Sequence, residues 1–267
     1  MKSMNIKNLP YEILCDFKEK LSKNQSVIGP FMKTGDPAFV EAAGYAGFDF
    51  VILDLEHGPG SIESMQNNIR AAEVAGAFPI IRVMGPEEQF ILRALDIGAL
   101  GIQVPQVNSV NQAKEAIKNA KFYPKGSRGV CRFQRAAQYA AMDRFEFFEK
   151  SNETIIILQL EGQEGLNNLD EILSIEGFDI LFIGPYDLSQ SLGIPGQIKH
   201  QKVIEKMEYI VQKAKAAHKV IGTFVDEPEN ILRWKSSGVQ YLSYSVDTGL
   251  FTDACKRIVK IHEECNH

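Results

Sequence analysis

Glu161 and Asp187 each stand at the end of an apolar, β-branched run. The first is Thr-Ile-Ile-Ile-Leu-Gln-Leu-Glu-Gly (Thr154 to Gly162), the second Asp-Ile-Leu-Phe-Ile-Gly-Pro-Tyr-Asp (Asp179 to Asp187). Runs of this kind read as parallel strands buried on both faces. Between them Leu166, Leu169, Ile172 and Leu173 recur at helical spacing. The unit therefore reads strand, helix, strand, and both acids emerge on one rim. Two carboxylates with further positions open to water or substrate oxygens form the donor set of a hard cation, Mg²⁺ or Mn²⁺. Arg82 lies inside Ile-Ile-Arg-Val, and an arginine in a buried strand must find a carboxylate or open onto a cleft. His57 follows a further apolar run, although a lone histidine there is more often solvated or hydrogen-bonded structure than a catalyst. The segment Gly184-Pro185-Tyr186-Asp187 leads into a helical turn, whose first N–H groups suit a substrate carboxylate. Together these groups would polarise a 2-oxo acid: the cation chelates carboxylate and keto oxygen, and Arg82 backs the developing enolate.

The elements that must position these residues alternate along the chain. Tyr11 to Ser22 reads as a helix that covers the bottom of a barrel. Strands follow at 26–32, 48–55, 78–83, 100–104, 154–161, 179–184, 219–225 and 239–246, with helices between them. Asp36-Pro37 supplies a cap and a first-turn proline, Ser61 and Ser64 are further candidate caps, and Asn108 is a plausible one. Glu164 to Ser174 reads as one helix, and Gly249 to Cys265 as the last. Eight strands separated by helices predict a single α/β (β/α)8 TIM barrel rather than a doubly wound sheet. The expected division is an N-terminal helical extension, residues 1–25, and a catalytic barrel, residues 26–267. Residues 121–153 break the rhythm with glycine, proline and clustered basic side chains, as functional or mobile segments do. In such barrels the chemistry sits at the carboxyl ends of the strands, which here carry His57, Arg82, Gln103, Gln159, Glu161, Asp187, Asp226 and Asp247. A rim acid is as readily a helix cap as a functional group, which applies above all to Asp226 and Asp247.

Composition narrows the classes. The net charge of −5 argues against a nucleic-acid partner, which needs a basic face. Cys15, Cys131, Cys255 and Cys265 show no CxxC spacing, so neither a zinc knuckle nor a disulfide framework is expected, and a reducing cytoplasm suits them. The first ten residues lack the apolar core of a signal peptide, and no apolar run approaches the ~20 residues needed to span a bilayer. Neither a Gly-x-Gly-x-x-Gly nor a Walker loop occurs, so nucleotide binding has no motif behind it.

Six segments in order and at compatible spacing resemble the HpcH/HpaI aldolases, class II pyruvate aldolases of the 4-hydroxy-2-oxo-heptane-1,7-dioate aldolase type. They are Leu53-Asp54-Leu55-Glu56-His57-Gly58, Ile81-Arg82, Leu95-Asp96-Ile97-Gly98, Gly126-Ser127-Arg128-Gly129-Val130, Gln159-Leu160-Glu161 and Phe182-Ile183-Gly184-Pro185-Tyr186-Asp187-Leu188. The likeness runs from about Ser26 to Ala254. It implies that Glu161 and Asp187 are metal ligands, for Mg²⁺, Mn²⁺ or Co²⁺. It further implies that His57 is the base, its basicity raised by Asp96, and that Arg82 stabilises the enolate oxygen. Gln159 and the backbone at Gly184, Pro185, Tyr186 and Asp187 would hold the 2-oxo acid. A homo-oligomer, a hexamer built from trimers, is implied as well. Several flanking positions depart from the common pattern. Leu55 stands where glycine often precedes Glu-His, Phe31 where tryptophan often lines the pocket, and Gly162 where threonine is common. Tyr186 replaces a small residue, and Val83-Met84 stand where proline often follows the arginine. These bear on the aldehyde rather than on the metal chemistry.

The expected activity is reversible, metal-dependent cleavage of a 4-hydroxy-2-oxo acid to pyruvate and an aldehyde. The partners are small molecules, with neither nucleic acid nor membrane among them. Three rivals share the barrel. A lyase for malyl- or citramalyl-CoA type thioesters would need a basic groove for the CoA phosphates, for which Lys121, Lys125, Arg128, Arg132 and Arg135 are the only cluster. An oxaloacetate decarboxylase keeps the enolate and changes the substrate. A non-catalytic barrel would bind a 2-oxo acid without turnover.

Overall fold

The computed structural model describes residues 9–265. Helix α1 (Leu9–Ser22) leads into β1 (Val27–Met32), α2 (Pro37–Tyr45), β2 (Phe50–Asp54), α3 (Ile62–Val74), β3 (Phe78–Arg82), α4 (Glu88–Asp96), β4 (Gly101–Val104) and α5 (Val110–Ala120). A 3-10 segment (Arg135–Ala140) and α6 (Arg144–Ser151) precede β5 (Ile155–Leu160), α7 (Gln163–Asn167), α8 (Leu169–Leu173), β6 (Ile180–Ile183), α9 (Pro185–Ser191) and α10 (Gln201–Ala216). The chain ends with β7 (Val220–Val225), α11 (Pro228–Ser237), β8 (Tyr241–Val246) and α12 (Asp247–Glu264). All strand pairs are parallel, and β8 closes on β1, so the sheet is a closed (β/α)8 barrel. The expected fold is the observed one. Residues 1–8 of the N-terminal extension, and the last two of the chain, lie outside the described residues.

Two apolar layers hold the barrel. The outer one lies between strands and helices, and the inner one fills the lumen with Phe50, Ile52, Phe78, Ile80, Ile157 and Phe182. Helix α1 closes the lumen from below. Its Ile13, Leu14, Phe17 and Leu21 recur at helical spacing and are buried, and the Phe17 ring stacks on Phe78 with centroids 4.2 Å apart. Helix α1 thus covers the lower end, opposite the carboxyl ends of the strands.

Local chemistry sets the helix starts. Asp36 accepts from the Ala38 N–H, and Ser61 and Ser64 form a reciprocal capping box. Two starts differ from expectation. Ser109, not Asn108, caps α5, because Gln112 reaches back to complete its box. The helix expected over Glu164 to Ser174 is two short ones, broken at Asn168, whose amide donates to the Asn108 carbonyl.

The last helix departs most from the barrel pattern. Its first residue, Asp247, is buried, where it accepts from the backbone N–H groups of Lys33 and Thr34 and from the Thr34 hydroxyl. From Phe251 to Cys265 every residue is exposed. The apolar stripe Phe251, Cys255, Ile258, Val259 and Ile261 is therefore largely uncovered by its own barrel, although the Phe251 ring meets Phe39 of α2 edge to face.

Candidate active site

Alternate residues of each strand face the lumen, so Phe50, Ile52 and Asp54 share one face of β2, and Phe78, Ile80 and Arg82 one face of β3. The lower positions are apolar and the last of each is polar. Register places Asp54 opposite Arg82, and Arg82 opposite Gln103, so three polar side chains stand side by side at the mouth.

Arg82 is held on three sides. Its Nε and Nη2 donate to Asp54 Oδ1 and Oδ2 at 2.8 and 2.7 Å, a planar two-pronged pairing. Nη1 lies 3.0 Å from Glu56 Oε2, and the guanidinium sits 4.5 Å above the Phe31 ring. Asp54 is fully buried and also accepts from the backbone N–H groups of Glu56 and His57. Burial pushes the Asp54 carboxyl up, but the hydrogen bonds and charge of Arg82, aided by the His57 N–H and Lys33, outweigh it and hold the pKa below the ordinary value. Asp54 thereby fixes both the arginine and the turn that carries His57. The His57 side chain is 58% exposed at the mouth, with Nε2 3.8 Å from Glu56 Oε1.

Glu161 is positioned by a relay of amides. The Tyr241 hydroxyl donates to Gln103 Oε1 (3.4 Å), Gln103 Nε2 to Gln159 Oε1 (2.6 Å), and Gln159 Nε2 to Glu161 Oε2 (2.6 Å). The other carboxylate oxygen accepts from the backbone N–H of Gln106, whose φ of 51° turns that group toward the site. Gly184 passes so close that a Cβ there would lie 2.4 Å from Glu161 Oε2 and displace the carboxylate. Burial, reinforced by the charges of Asp187 and Glu56, pushes the Glu161 carboxyl up to about 7, against the lowering effect of its hydrogen bonds. Burial also raises Glu56, with Asp54 and Asp187 adding to it and Arg82 and His57 opposing.

Glu56, Glu161 and Asp187 are thus within electrostatic reach of one another in a partly desolvated mouth. A divalent cation fits this donor chemistry: it would offset the burial and the neighbouring charges that raise Glu161, and Gly184 leaves space at the carboxylate. Glu161 and Asp187 would supply two oxygens, leaving positions for water or substrate. Among the described residues no group of three or more His, Cys, Asp or Glu side chains is placed to hold a metal.

The rim continues past Asp187. Pro185 opens α9, and the Tyr186 hydroxyl donates to Asp226 Oδ2, so Asp226 is a partner for a phenol rather than a helix cap. Burial, with the hydrogen bond and charge of Asp226, pushes the Tyr186 phenol up to about 12.

Asp96 is not brought to the site. It is the last residue of α4, a helix that runs from the mouth back to the lower end, where Asp96 accepts from Arg128 Nη2 at 2.7 Å. Within one chain it and His57 lie at opposite ends of the barrel. The basic segment 121–135 lies at that lower end too, because it joins the end of α5 to the start of β5. Lys121 donates to the carbonyls of Asn152 and Thr154, Arg132 to that of Met142, and Arg135 pairs with Glu73. Lys125 pairs with Glu153, so these charges have partners within the fold, at the end of the barrel away from the mouth. A cavity of about 520 Å³ beside it, lined by Tyr11, Leu14, Glu73, Leu95, Arg128 and Arg135, includes none of the mouth residues.

Asp54, Glu56 and Tyr241 carry roles that the sequence reading did not assign. The alternation Phe50, Ile52, Asp54 carried the signal for the first, since it points a carboxylate inward beside Arg82.

Comparisons with known proteins bear on the family and the fold. The family model HpcH/HpaI aldolase/citrate lyase matches residues 27–254. A 2-keto-3-deoxy-L-rhamnonate aldolase of Escherichia coli O6:K15:H31 (strain 536 / UPEC) is 32% identical over 239 residues, 89% of each chain. The crystal structure of an HpcH/HpaI aldolase from Desulfitobacterium hafniense DCB-2 is 30% identical, with TM-score 0.87, covering 92% of this chain and 96% of that one. The citrate synthase SbnG is 31% identical, with TM-score 0.84 and coverage of 94% and 98%. With its closed barrel and its mouth of paired arginine and crowded acids, the chain belongs to the HpcH/HpaI aldolase/citrate lyase family and is a carbon–carbon lyase of the aldolase type.

Proposed function

We propose that this protein cleaves a 4-hydroxy-2-oxo acid reversibly to pyruvate and an aldehyde, at a site built from His57, Arg82, Glu161 and Asp187. The observation that carries the reading is the meeting at one mouth of an arginine locked by Asp54 and three mutually repelling carboxylates. Members of the family are generally divalent-metal dependent. Glu161 and Asp187 would hold the ion, Mg²⁺ or Mn²⁺, which supplies Lewis-acid polarisation of the oxo acid when bound. Gln159 and the backbone from Gly184 through Pro185 and Tyr186 to Asp187 orient the substrate carboxylate and keto group. His57 takes the proton of the 4-hydroxyl. The C3–C4 bond breaks, its electron pair passes into the pyruvate enolate, and the new carbonyl leaves as the aldehyde. Arg82 faces the enolate oxygen as its charge develops. Protonation of the enolate carbon completes pyruvate, and the reverse sequence forms the bond.

The role toward His57 that the resemblance gives Asp96 can act only between copies, because one chain keeps the two apart. A homo-oligomer is proposed on a second ground, the uncovered stripe of α12.

The test is incubation with pyruvate and Mg²⁺ or Mn²⁺, first alone in D₂O and then with a panel of carbonyl acceptors. The expected result is EDTA-sensitive exchange of the pyruvate methyl protons and EDTA-sensitive carbon–carbon bond formation with aldehydes. Neither exchange nor bond formation would overturn the reading.

A further inference from the structure

A continuous aromatic wall runs along one side of the mouth. It begins at Phe31 beneath the Arg82 guanidinium, passes to Phe224 of β7 with ring centroids 6.0 Å apart, and reaches Tyr186 after another 6.0 Å. Phe31 is buried, Phe224 is partly buried, and Tyr186 is 46% exposed. The wall therefore spans from the proposed enolate partner to the residue beside the proposed metal ligand Asp187. It is the side of the mouth proposed below for the second reactant.

The far end of the wall has a defined polarity. The single phenolic proton of Tyr186 is committed to Asp226 Oδ2, and a carboxylate is a far better acceptor than a neutral ligand oxygen. Tyr186 then offers a ligand only its oxygen lone pair. Asp226 Oδ1 is buried and accepts no hydrogen bond, so the acid's charge is not quenched from its other side. The cations around the mouth are already paired: Lys33 with Asp54 at 3.6 Å, Arg82 with Asp54 and Glu56, and Lys199 with Glu227 at 2.6 Å. A ligand carboxylate placed at Tyr186 would meet acids and lone pairs, whereas a hydroxyl would find an acceptor.

We propose that Tyr186, oriented by Asp226, is the specificity-determining residue of the acceptor subsite, and that it selects uncharged aldehydes bearing a hydroxyl over those bearing a carboxylate. This rests on the aldolase reading above and adds the class of aldehyde. The carbon skeleton packs on the Phe224 ring, and the hydroxyl donates to the Tyr186 oxygen. Asp226 is a positioning residue, since it acts through the phenol. The tyrosine that departs from the small residue common in the family is thus the one that sets the acceptor.

The experiment uses the full chain with saturating Mn²⁺ and pyruvate. Rates of bond formation are compared for 2-hydroxypropanal, propanal and succinic semialdehyde, alongside methyl-proton exchange of pyruvate without acceptor. The wild type is expected to prefer 2-hydroxypropanal to propanal by tenfold or more in kcat/KM, a gap that a single hydroxyl contact supplies, and to use succinic semialdehyde worst. In Tyr186→Phe the preference falls below threefold, and the change lies in the ratio between aldehydes. In Asp226→Asn the discrimination against succinic semialdehyde shrinks by tenfold. Wild-type proton exchange with no preference between the first two aldehydes would overturn the subsite while leaving the enolate chemistry standing. An unchanged ratio in Tyr186→Phe would do the same. Absence of exchange in the wild type would overturn the aldolase reading, and this inference with it.

Discussion

Arg82 and Asp54 meet through two parallel hydrogen bonds of 2.8 and 2.7 Å, on adjacent strands at the same level of the barrel. Both side chains are nearly excluded from water, at 9% and 0% exposure. The pair therefore does two things: it keeps a guanidinium charged and still in the lumen, and it ties β2 to β3 at the mouth.

Separate substitutions resolve these two roles. Lysine cannot reproduce the planar fork, so Arg82→Lys is expected to lower kcat by roughly 10²–10³-fold, as the loss of one oriented oxyanion donor does. KM for the oxo acid should change far less. Asp54→Ala leaves Arg82 buried without its main partner and is expected to cost about 3–5 kcal/mol of stability. Steady-state kinetics and urea unfolding measure the two effects. An Arg82→Lys enzyme with full kcat would remove Arg82 from the chemistry.

Glu161 and Asp187 carry a different expectation, because their mutual repulsion is a cost that metal relieves. Glu161→Gln and Asp187→Asn should each weaken Mn²⁺ binding by 100-fold or more, read directly by calorimetry or the Mn²⁺ resonance signal. The metal-free Glu161→Gln protein should melt at or above the metal-free wild type, since a buried acid that burial pushes up to about 7 has been made neutral. Unaltered Mn²⁺ affinity in both variants would move the metal elsewhere.

The barrel and these strand-end groups were legible in the sequence because both rest on local pattern. Buried parallel strands are unbroken apolar runs, and a charge that ends such a run stands out, as Arg82, Glu161 and Asp187 do. What could not be read was set by pairing across the barrel. That Tyr241 reaches Glu161 through Gln103 and Gln159 depends on register between strands, which no local spacing encodes. Asp96 shows the reverse case: a motif position suggested chemistry, while the direction of α4 carries it to the other end. Arg128, Arg132 and Arg135 look like a basic patch in one dimension and are bound to partners scattered over residues 73 to 142.

The exposed stripe on α12 gives an assembly prediction. A helix after β8 should cover the last strand and β1, yet Phe251 to Cys265 lie open along their full length. Exposed Phe251, Ile258, Val259 and Ile261 on one amphipathic helix are best buried against a second copy, whose own α12 returns the contact. Replacing Ile258 and Val259 with glutamate should lower the mass of the assembly in light scattering and leave the circular dichroism of the barrel intact. An unchanged mass would show that α12 has no part in association.

Asp96 extends this to function. If it serves His57 only across copies, His57→Asn and Asp96→Asn are each poor enzymes alone. Mixed oligomers, refolded from equal amounts of the two, should recover up to about a quarter of wild-type activity, because some sites then hold one intact residue of each kind. No recovery in verified mixed oligomers would confine Asp96 to its pairing with Arg128.

Lys121 makes stability depend on pH far from the site. Burial lowers its ammonium from 10.5 to about 8, against the opposing charges of Asp179 and Glu153. In the unfolded chain the ordinary value returns, so between about pH 8 and pH 10.5 the unfolded state binds more protons than the folded one. Stability then rises with pH across that window, while below pH 8 the full cost of burying the charge is present. Lys121→Met has no such term. Relative to this variant the wild type should therefore gain stability between pH 8 and pH 10.5, by up to about 3 kcal/mol. Urea midpoints of both proteins at pH 7.5, 9 and 10.5 measure it. A difference that stays constant, or moves in favour of the variant as pH rises, would mean that Lys121 carries its ordinary affinity for protons inside the fold.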